Sequence, residues 1–160
     1  VAAAVNFNAP GQVVVAGHAG AVEATLARAR EMGARRAVPL PMSVPVHCEL
    51  MRPAMDRLGA LLDEAEIRPP AIPVINNADV EVSDTAEAIR DALRRQLINP
   101  VRWVDTIRKL TELGADTVIE CGPGRVLTGL MKRIDRNLKS LALNDTGALE
   151  IALEESGRKS

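Results

Sequence analysis

The sequence has almost no aromatic side chains, because Phe7 and Trp103 are the only two and tyrosine is absent. A hydrophobic core must therefore be built from aliphatic residues and methionine, and there are few flat faces on which nucleotide bases could stack. Cysteine is also scarce: Cys48 and Cys121 lie far apart and outside any CxxC spacing. This argues against a disulfide framework or a zinc site and favours a reducing cytoplasm.

Charge of either sign is not in excess, since 20 basic and 21 acidic residues leave a net charge of -1. Such a balance gives no indication of a nucleic-acid or membrane-surface partner. No apolar run approaches the roughly 20 residues of a membrane-spanning helix, and the N-terminus lacks the pattern of a signal peptide. The chain begins with Val1 in what already resembles the middle of a strand, which suggests a cut chain, although processing could also remove a start.

The residues that are present describe a soluble globular protein. Hydrophobic residues make up 47% of the 160 positions and charged residues 26%, which is enough apolar material for a real core. The first 42 residues predict a β-β-α-β order. They comprise a hairpin of Val1–Phe7 and Gln12–Gly17, a helix Ala19–Met32 ended by Gly33, and an extended segment Arg35–Met42.

Helices and strands alternate over the remaining residues, which predicts a parallel sheet covered on both faces. An Asp-x-x-Glu capping signal at Asp84 and Glu87 starts one of the helices, which runs to about Leu97. The other predicted elements are a helix Glu49–Glu66, a strand Ile72–Ile75, a helix Val101–Leu113, a buried strand Thr117–Glu120, a helix Arg125–Asn137, a strand Ser140–Leu143 and a helix Gly147–Glu155.

One candidate for chemistry is His47, at the end of a segment stiffened by Pro39, Pro41 and Pro45. The histidine comes directly before a predicted helix, where the helix dipole disfavours the imidazolium. A neutral imidazole can accept a proton, as a general base must. The alternative is a helix-start histidine that fills a surface groove.

Two other segments allow a functional and a structural interpretation. The helix that ends near Gln96 leaves backbone carbonyls without helical partners, and such a carbonyl could orient a histidine ring. An ordinary helix C-terminus is the alternative. The strand, glycine turn and helix around Gly122 and Gly124 could lie at the ligand-binding edge of a sheet, or could simply let helix and strand approach closely.

Polar side chains near the N-terminus form the last group of candidates. Asn6 and Asn8 lie on one face of their strand and could bind a polar ligand or merely flank the turn. Arg35 and Arg36 form a small basic pair. The nucleophile of a serine hydrolase fold is absent, because none of the five serines lies in a Gly-x-Ser-x-Gly elbow.

Together, five segments resemble the malonyl-CoA:acyl carrier protein transacylase family, and they occur in order with family-like spacing. They are Val5–Val14, Leu40–Cys48, Val74–Asn77, Arg95–Trp103 and Glu120–Leu130. The resemblance implies an α/β fold, with the C-terminal part of an α/β-hydrolase-like acyltransferase core plus part of a ferredoxin-like inserted subdomain. Residues 1–42 would be the partial ferredoxin-like subdomain and residues 43–160 the core part.

The resemblance also implies a ping-pong transfer of malonyl from coenzyme A to the phosphopantetheine thiol of acyl carrier protein. His47 matches the histidine that deprotonates the serine and then the incoming thiol. Gln96 matches the position whose backbone carbonyl orients that imidazole. Asn6 and Asn8 match positions near the coenzyme or pantetheine arm, and the arginine pair matches a basic site for coenzyme phosphates or the acidic carrier. Coenzyme A enters as a thioester substrate, and no cofactor or metal is expected.

The departures from the family pattern all lie upstream. The serine elbow, the Gly-Gln-Gly oxyanion-hole segment and the arginine that clamps the malonyl carboxylate are missing from this chain. We therefore expect the chain to be inactive alone and to need the missing N-terminal part of the same enzyme. Two alternatives remain open: a stand-alone binding module for coenzyme A or acyl carrier protein, and a polyketide synthase acyltransferase domain. Val44–Val46 favours the discrete fatty-acid enzymes over the latter.

Overall fold

A computed structural model describes residues 1–157, so that residues 158–160 of the predicted core part lie outside the described residues. The described chain has mixed α and β content, as the sequence predicted. Its strands are β1 (Ala2–Ala9), β2 (Gln12–Gly17), β3 (Thr117–Cys121) and β4 (Lys139–Leu143). Its helices are α1 (Ala19–Glu31), α2 (Arg52–Glu64), α3 (Ala86–Arg95), α4 (Trp103–Glu112), α5 (Val126–Ile134) and α6 (Thr146–Gly157), with a 3-10 turn at Glu49–Met51 before α2.

The chain divides into two compact units. The first contains residues 1–8 and 12–103, and the second contains residues 9–11 and Val104 onward. The division of residues 1–42 from residues 43–160, which the family resemblance implies, stays a prediction.

The first unit starts with the predicted hairpin and helix. β1 and β2 pair with each other, and Gly11 in the turn between them has a φ of 73° that suits glycine. After α1, Gly33 takes a φ of 89°, its N–H bonds the Arg30 carbonyl at 3.0 Å, and the Ala34 N–H bonds the Ala29 carbonyl at 2.9 Å. This is the Schellman arrangement of a glycine-ended helix.

The extended segment Arg35–Met42 is not a strand, so the predicted β-β-α-β order is wrong at its last element. Residues 34–46 are irregular. Pro39 and Pro41 have no N–H to offer a neighbouring strand, and the Met42 N–H turns back to the Leu40 carbonyl at 2.8 Å.

Helices α2 and α3 pack together in the same unit, and arginines of α3 hold the end of α2. Arg90 donates to the carbonyls of Leu62 and Ala65, both at 2.8 Å. Arg94 bonds the Gly59 carbonyl at 3.1 Å and pairs with an aspartate of α2. These cations thus meet carbonyls near the negative end of α2.

The segment between α2 and α3 corrects two sequence predictions. Ile72–Ile75 does not form a strand of the parallel sheet, and only Ile75 makes an isolated antiparallel bridge, to Val82. A run this short cannot indicate its partner. The cap of α3 is Thr85 rather than Asp84, because the Thr85 hydroxyl accepts the Ala88 N–H at 3.2 Å.

The predicted helix Val101–Leu113 starts later than expected, at Trp103. Val101 instead forms a parallel bridge with Asn6 of β1. Its N–H donates to Val5 at 2.8 Å, and its carbonyl accepts from Phe7 at 2.9 Å. The proline before Val101 favours an extended backbone at its N-terminal neighbour and so prevents a continuous helix.

The second unit contains a parallel pair of strands joined by a helix. β3 and β4 run parallel, from Thr117 opposite Lys139 to Cys121 opposite Leu143, and α5 connects them. The predicted order is confirmed, but the burial of β3 is not. Ile119 is 37% exposed, because β3 has one partner strand in the described part of the chain. Within residues 1–157, no helix is both long and apolar enough to cross a lipid bilayer.

Candidate active site

The segment before His47 follows a path of tight turns around prolines. Two hydrogen bonds span single residues, from Met42 N–H to the Leu40 carbonyl at 2.8 Å and from Val46 N–H to the Val44 carbonyl at 3.0 Å. The residues between the partners are both prolines, whose fixed φ suits such a turn. This local geometry brings the chain to His47 without regular secondary structure.

The backbone of His47 is itself unusual. The residue has a φ of 61°, a left-handed conformation that costs a non-glycine residue about 1–3 kcal/mol. The next residue, Cys48, is only 3% exposed, and its thiol donates to the Pro45 carbonyl at 3.1 Å. Cys48 is thus anchored below the turn while the half-buried His47 ring takes a different partner, so no Cys–His pair forms.

The partner of His47 is the backbone of Gln96. The Nδ1 atom of the ring lies 2.8 Å from the Gln96 carbonyl oxygen. A carbonyl oxygen can only accept, so Nδ1 must carry the proton and the tautomer follows from the partner. In the neutral ring the Nε2 atom then has a free lone pair, which is the form that a general base needs. The structure brings these two predicted residues together, and their catalytic role stays a prediction.

The last turn of α3 is braced by charged side chains. Arg95, the residue before Gln96, pairs with Asp79 in the preceding loop and with Asp91 one turn back on the helix. Asn76 shapes that loop, because its side-chain oxygen accepts the Ala78 N–H at 2.8 Å. The brace holds the helix end from which the Gln96 carbonyl projects, and the sequence patterns did not reveal it.

Asn6 and Asn8 are half-buried and alternate along β1 with Val5, which is 1% exposed. The backbone of Asn6 lies beside Val101, five residues after Gln96. The structure therefore places β1 next to the segment that follows the carbonyl. No recorded hydrogen bond joins either asparagine to His47, and their contact with a coenzyme or pantetheine arm stays a prediction.

Arg35 and Arg36 are exposed on the irregular segment after α1. A neighbouring arginine fastens that segment, since Arg30 donates to the Ala37 carbonyl at 2.6 Å. The Arg35 and Arg36 side chains both face solvent, and their expected role toward coenzyme phosphates or an acidic carrier stays a prediction.

In the second unit, Glu120 is a structural residue that the sequence motifs did not single out. Its carboxylate accepts the Leu127 N–H at 3.0 Å, the Thr128 N–H at 2.7 Å and the Thr128 hydroxyl at 2.7 Å. Desolvation raises the pKa of Glu120, but the hydrogen bonds from Thr128, Leu127 and Val126 outweigh it, so the pKa lies below the usual value. The sequence feature that could have indicated this role is an acidic residue just before a glycine turn and a helix.

These contacts give the strand–turn–helix motif a structural role at Glu120. The carboxylate satisfies free N–H groups at the start of α5 across the Gly-Pro-Gly turn. Among residues 1–157, no group of three or more His, Cys, Asp or Glu side chains could hold a metal ion.

The chain is similar in sequence to bacterial acyltransferases. It is 50% identical over 154 residues to the malonyl CoA-acyl carrier protein transacylase of Escherichia coli K12, covering 96% of this chain and 50% of that protein. It is 43% identical over 149 residues to the protein of the same name from Bacillus subtilis, covering 93% and 47%. The chain thus spans about half the length of these curated relatives. No protein-family model matches it.

Solved structures agree in fold. A malonyl-transacylase in complex with a type II polyketide synthase acyl-carrier protein superposes with a TM-score of 0.95 at 52% identity, covering 97% of this chain and 50% of that one. An acyl carrier protein S-malonyltransferase from Vibrio cholerae gives a TM-score of 0.92 at 50% identity, covering 95% and 50%. Sequence and fold together make this chain a homologue of the malonyl CoA-acyl carrier protein transacylases, matching about half the length of such a protein.

Proposed function

We propose that this chain supplies the histidine portion of a malonyl-CoA:acyl carrier protein transacylase of fatty acid synthesis. The observation that carries the proposal is the 2.8 Å contact between His47 Nδ1 and the Gln96 carbonyl, within a chain homologous to named transacylases. The proposed setting is the cytoplasm. The substrates are malonyl-CoA and acyl carrier protein, with no cofactor, and the remaining part of the enzyme is the partner.

The chemistry follows from the tautomer of His47. Nε2 accepts the proton of a serine hydroxyl, and the serine oxygen attacks the thioester carbonyl of malonyl-CoA. When the tetrahedral intermediate collapses, the imidazolium returns this proton to the departing coenzyme A sulfur. In the second half, Nε2 deprotonates the carrier thiol, which attacks the malonyl ester, and the proton passes to the serine oxygen. The Gln96 carbonyl holds the ring and stabilises its transient positive charge.

A chimera tests the proposal. This chain replaces the matching residues of the Escherichia coli relative, and transfer of malonyl from coenzyme A to acyl carrier protein is measured. His47→Ala is expected to lower the rate about 100- to 10,000-fold, the range for a general base. His18→Ala is the matched control, because His18 is an exposed histidine on the surface of the first unit. A His47→Ala chimera as active as this control would refute the proposal.

A second arm separates the backbone of Gln96 from its side chain. Gln96→Ala keeps the carbonyl that binds His47, so the expected loss of transfer rate is less than about fivefold. A loss as large as that of His47→Ala would assign the function to the Gln96 side chain and contradict the proposed geometry.

The carrier is a separate choice, because one structural relative is solved with the acyl-carrier protein of a type II polyketide synthase. We propose the fatty-acid carrier because two curated bacterial malonyl CoA-acyl carrier protein transacylases are 50% identical to this chain over 96% and 97% of its length. Parallel assays of the chimera with both carriers decide, and the carrier with the higher kcat/KM is the physiological class.

A further inference from the structure

His47 is bonded to the backbone carbonyl of Gln96, which in a longer helix would accept a backbone N–H. Gln96 caps α3 with helical backbone angles, φ −58° and ψ −25°. In a continuing α-helix such a carbonyl accepts the N–H four residues later, which is position 100. That residue is Pro100, and proline has no N–H. The usual helical donor to Gln96 therefore does not exist in this chain.

The other nearby donors are committed to the preceding carbonyl. The Asn99 N–H, which could reach back three residues to Gln96, instead bonds the Arg95 carbonyl at 3.0 Å. The Asn99 side-chain amide donates to the same oxygen at 2.8 Å, and the Ile98 N–H approaches it at 3.2 Å. All three donors thus bond the Arg95 carbonyl, and none of them bonds the Gln96 carbonyl.

The residue after Pro100 is also engaged, because the Val101 N–H bonds the Val5 carbonyl of β1 at 2.8 Å. Positions 98, 99 and 101 are all bonded elsewhere, and position 100 cannot donate. Within residues 1–157, the group that donates to the Gln96 carbonyl is the Nδ1–H of His47.

We propose that Pro100 is a positioning residue for His47. By lacking an N–H, Pro100 keeps the Gln96 carbonyl open to the Nδ1–H of the ring, and this contact selects the tautomer with a bare Nε2. Asn99 assists by directing its own two donors to Arg95. The inference rests on the proposed role of His47 as the general base.

The test restores the missing donor with Pro100→Ala. The new N–H lies four residues after Gln96 and competes for its carbonyl. Nitrogen-15 NMR of the imidazole reports the tautomer directly, and the chain has only two histidines, so His18→Ala assigns the signals. We expect parent His47 to be in the Nδ1–H form and Pro100→Ala to lower its share. In the chimera, kcat should fall about three- to tenfold, the effect of one neutral hydrogen bond.

Two controls separate the effect of the new N–H at position 100 from the effect of losing the proline ring. Pro69→Ala removes an exposed proline beyond α2 and should leave the His47 tautomer unchanged. An ester counterpart of Pro100→Ala carries the same methyl group but has an oxygen in place of the N–H. This analogue should return the His47 imidazole to the Nδ1–H form. It also shows whether any loss of folding comes from the missing proline ring.

The outcomes are distinct. A parent-like tautomer in folded Pro100→Ala, or an ester analogue as shifted as Pro100→Ala, overturns the positioning role. The tautomer is measured without substrate and is therefore independent of the proposed function. If the tautomer shifts while the His47→Ala chimera keeps full transfer, the proposed function fails and the structural effect of Pro100 on the ring stands.

Discussion

At the scale of single residues, the two histidines differ in the backbone group that each one contacts. His47 is one of two histidines, and the other, His18, lies at the surface against the amino terminus. Only His47 faces a carbonyl that no helix uses. The sequence indicated both His47 and the helix end at Gln96, but their approach to 2.8 Å joins residues 49 positions apart, which no local pattern could establish.

Glu120 supports a prediction at the same scale. Its pKa is lowered in the folded chain below the ordinary 4.5, so the ionised carboxylate contributes stability above the unfolded pKa. That stability is lost as pH falls through the folded pKa. Glu120→Gln should therefore lower the free energy of unfolding at pH 7, and the difference from the parent should shrink toward pH 3.

Urea unfolding at both pH values measures the effect. Glu23→Gln is the matched control, because Glu23 is exposed on α1 and has no comparable set of donors. An equal difference between Glu120→Gln and the parent at both pH values would show that the charge of Glu120 does not support the start of α5.

At the scale of elements, the sequence pattern placed the helix start of α3 closely but not the residue that caps it. The Asp84 and Glu87 pattern indicated the start of α3 correctly to within a residue, yet the hydroxyl that accepts the first N–H belongs to Thr85. Both residues are acceptable caps, and the choice between them depends on how the preceding loop enters the helix.

The two candidate caps make a matched pair of variants. Thr85→Ala should cost about 1 kcal/mol of unfolding free energy, because the Ala88 N–H loses its acceptor. Asp84→Ala should cost clearly less, since its carboxylate is exposed and does not cap the helix. Chemical denaturation at neutral pH compares them, and a larger cost at Asp84 would restore the sequence-based assignment.

At the scale of the whole molecule, the chain carries a candidate base, His47, but no serine in the usual nucleophile motif. Its five serines include none in a Gly-x-Ser-x-Gly elbow, and it spans about half the length of the curated relatives. A catalytic base without a nucleophile and an oxyanion hole retains little of the rate enhancement of the complete set, since such residues act as a unit.

We therefore expect the isolated chain to give no malonyl transfer above the uncatalysed rate, whereas the chimera transfers. The assay mixes the purified chain with radiolabelled malonyl-CoA and acyl carrier protein, and the chimera at equal concentration is the positive control. Turnover by the isolated chain that His47→Ala abolishes would show that it contains a complete active site.

The sequence alone determined the order of most helices and strands and the similarity to the transacylases, and it singled out His47 and Gln96 as candidates, because each is signalled by local patterns or by motifs in register. It misassigned Arg35–Met42 and Ile72–Ile75 as strands, because pairing depends on a distant partner that propensity does not reveal. Only the tertiary structure decided which nitrogen of His47 carries the proton. That choice is made by a carbonyl from a separate helix, and it is available because packing brings the helix end to the ring and the chain places a proline four residues beyond it.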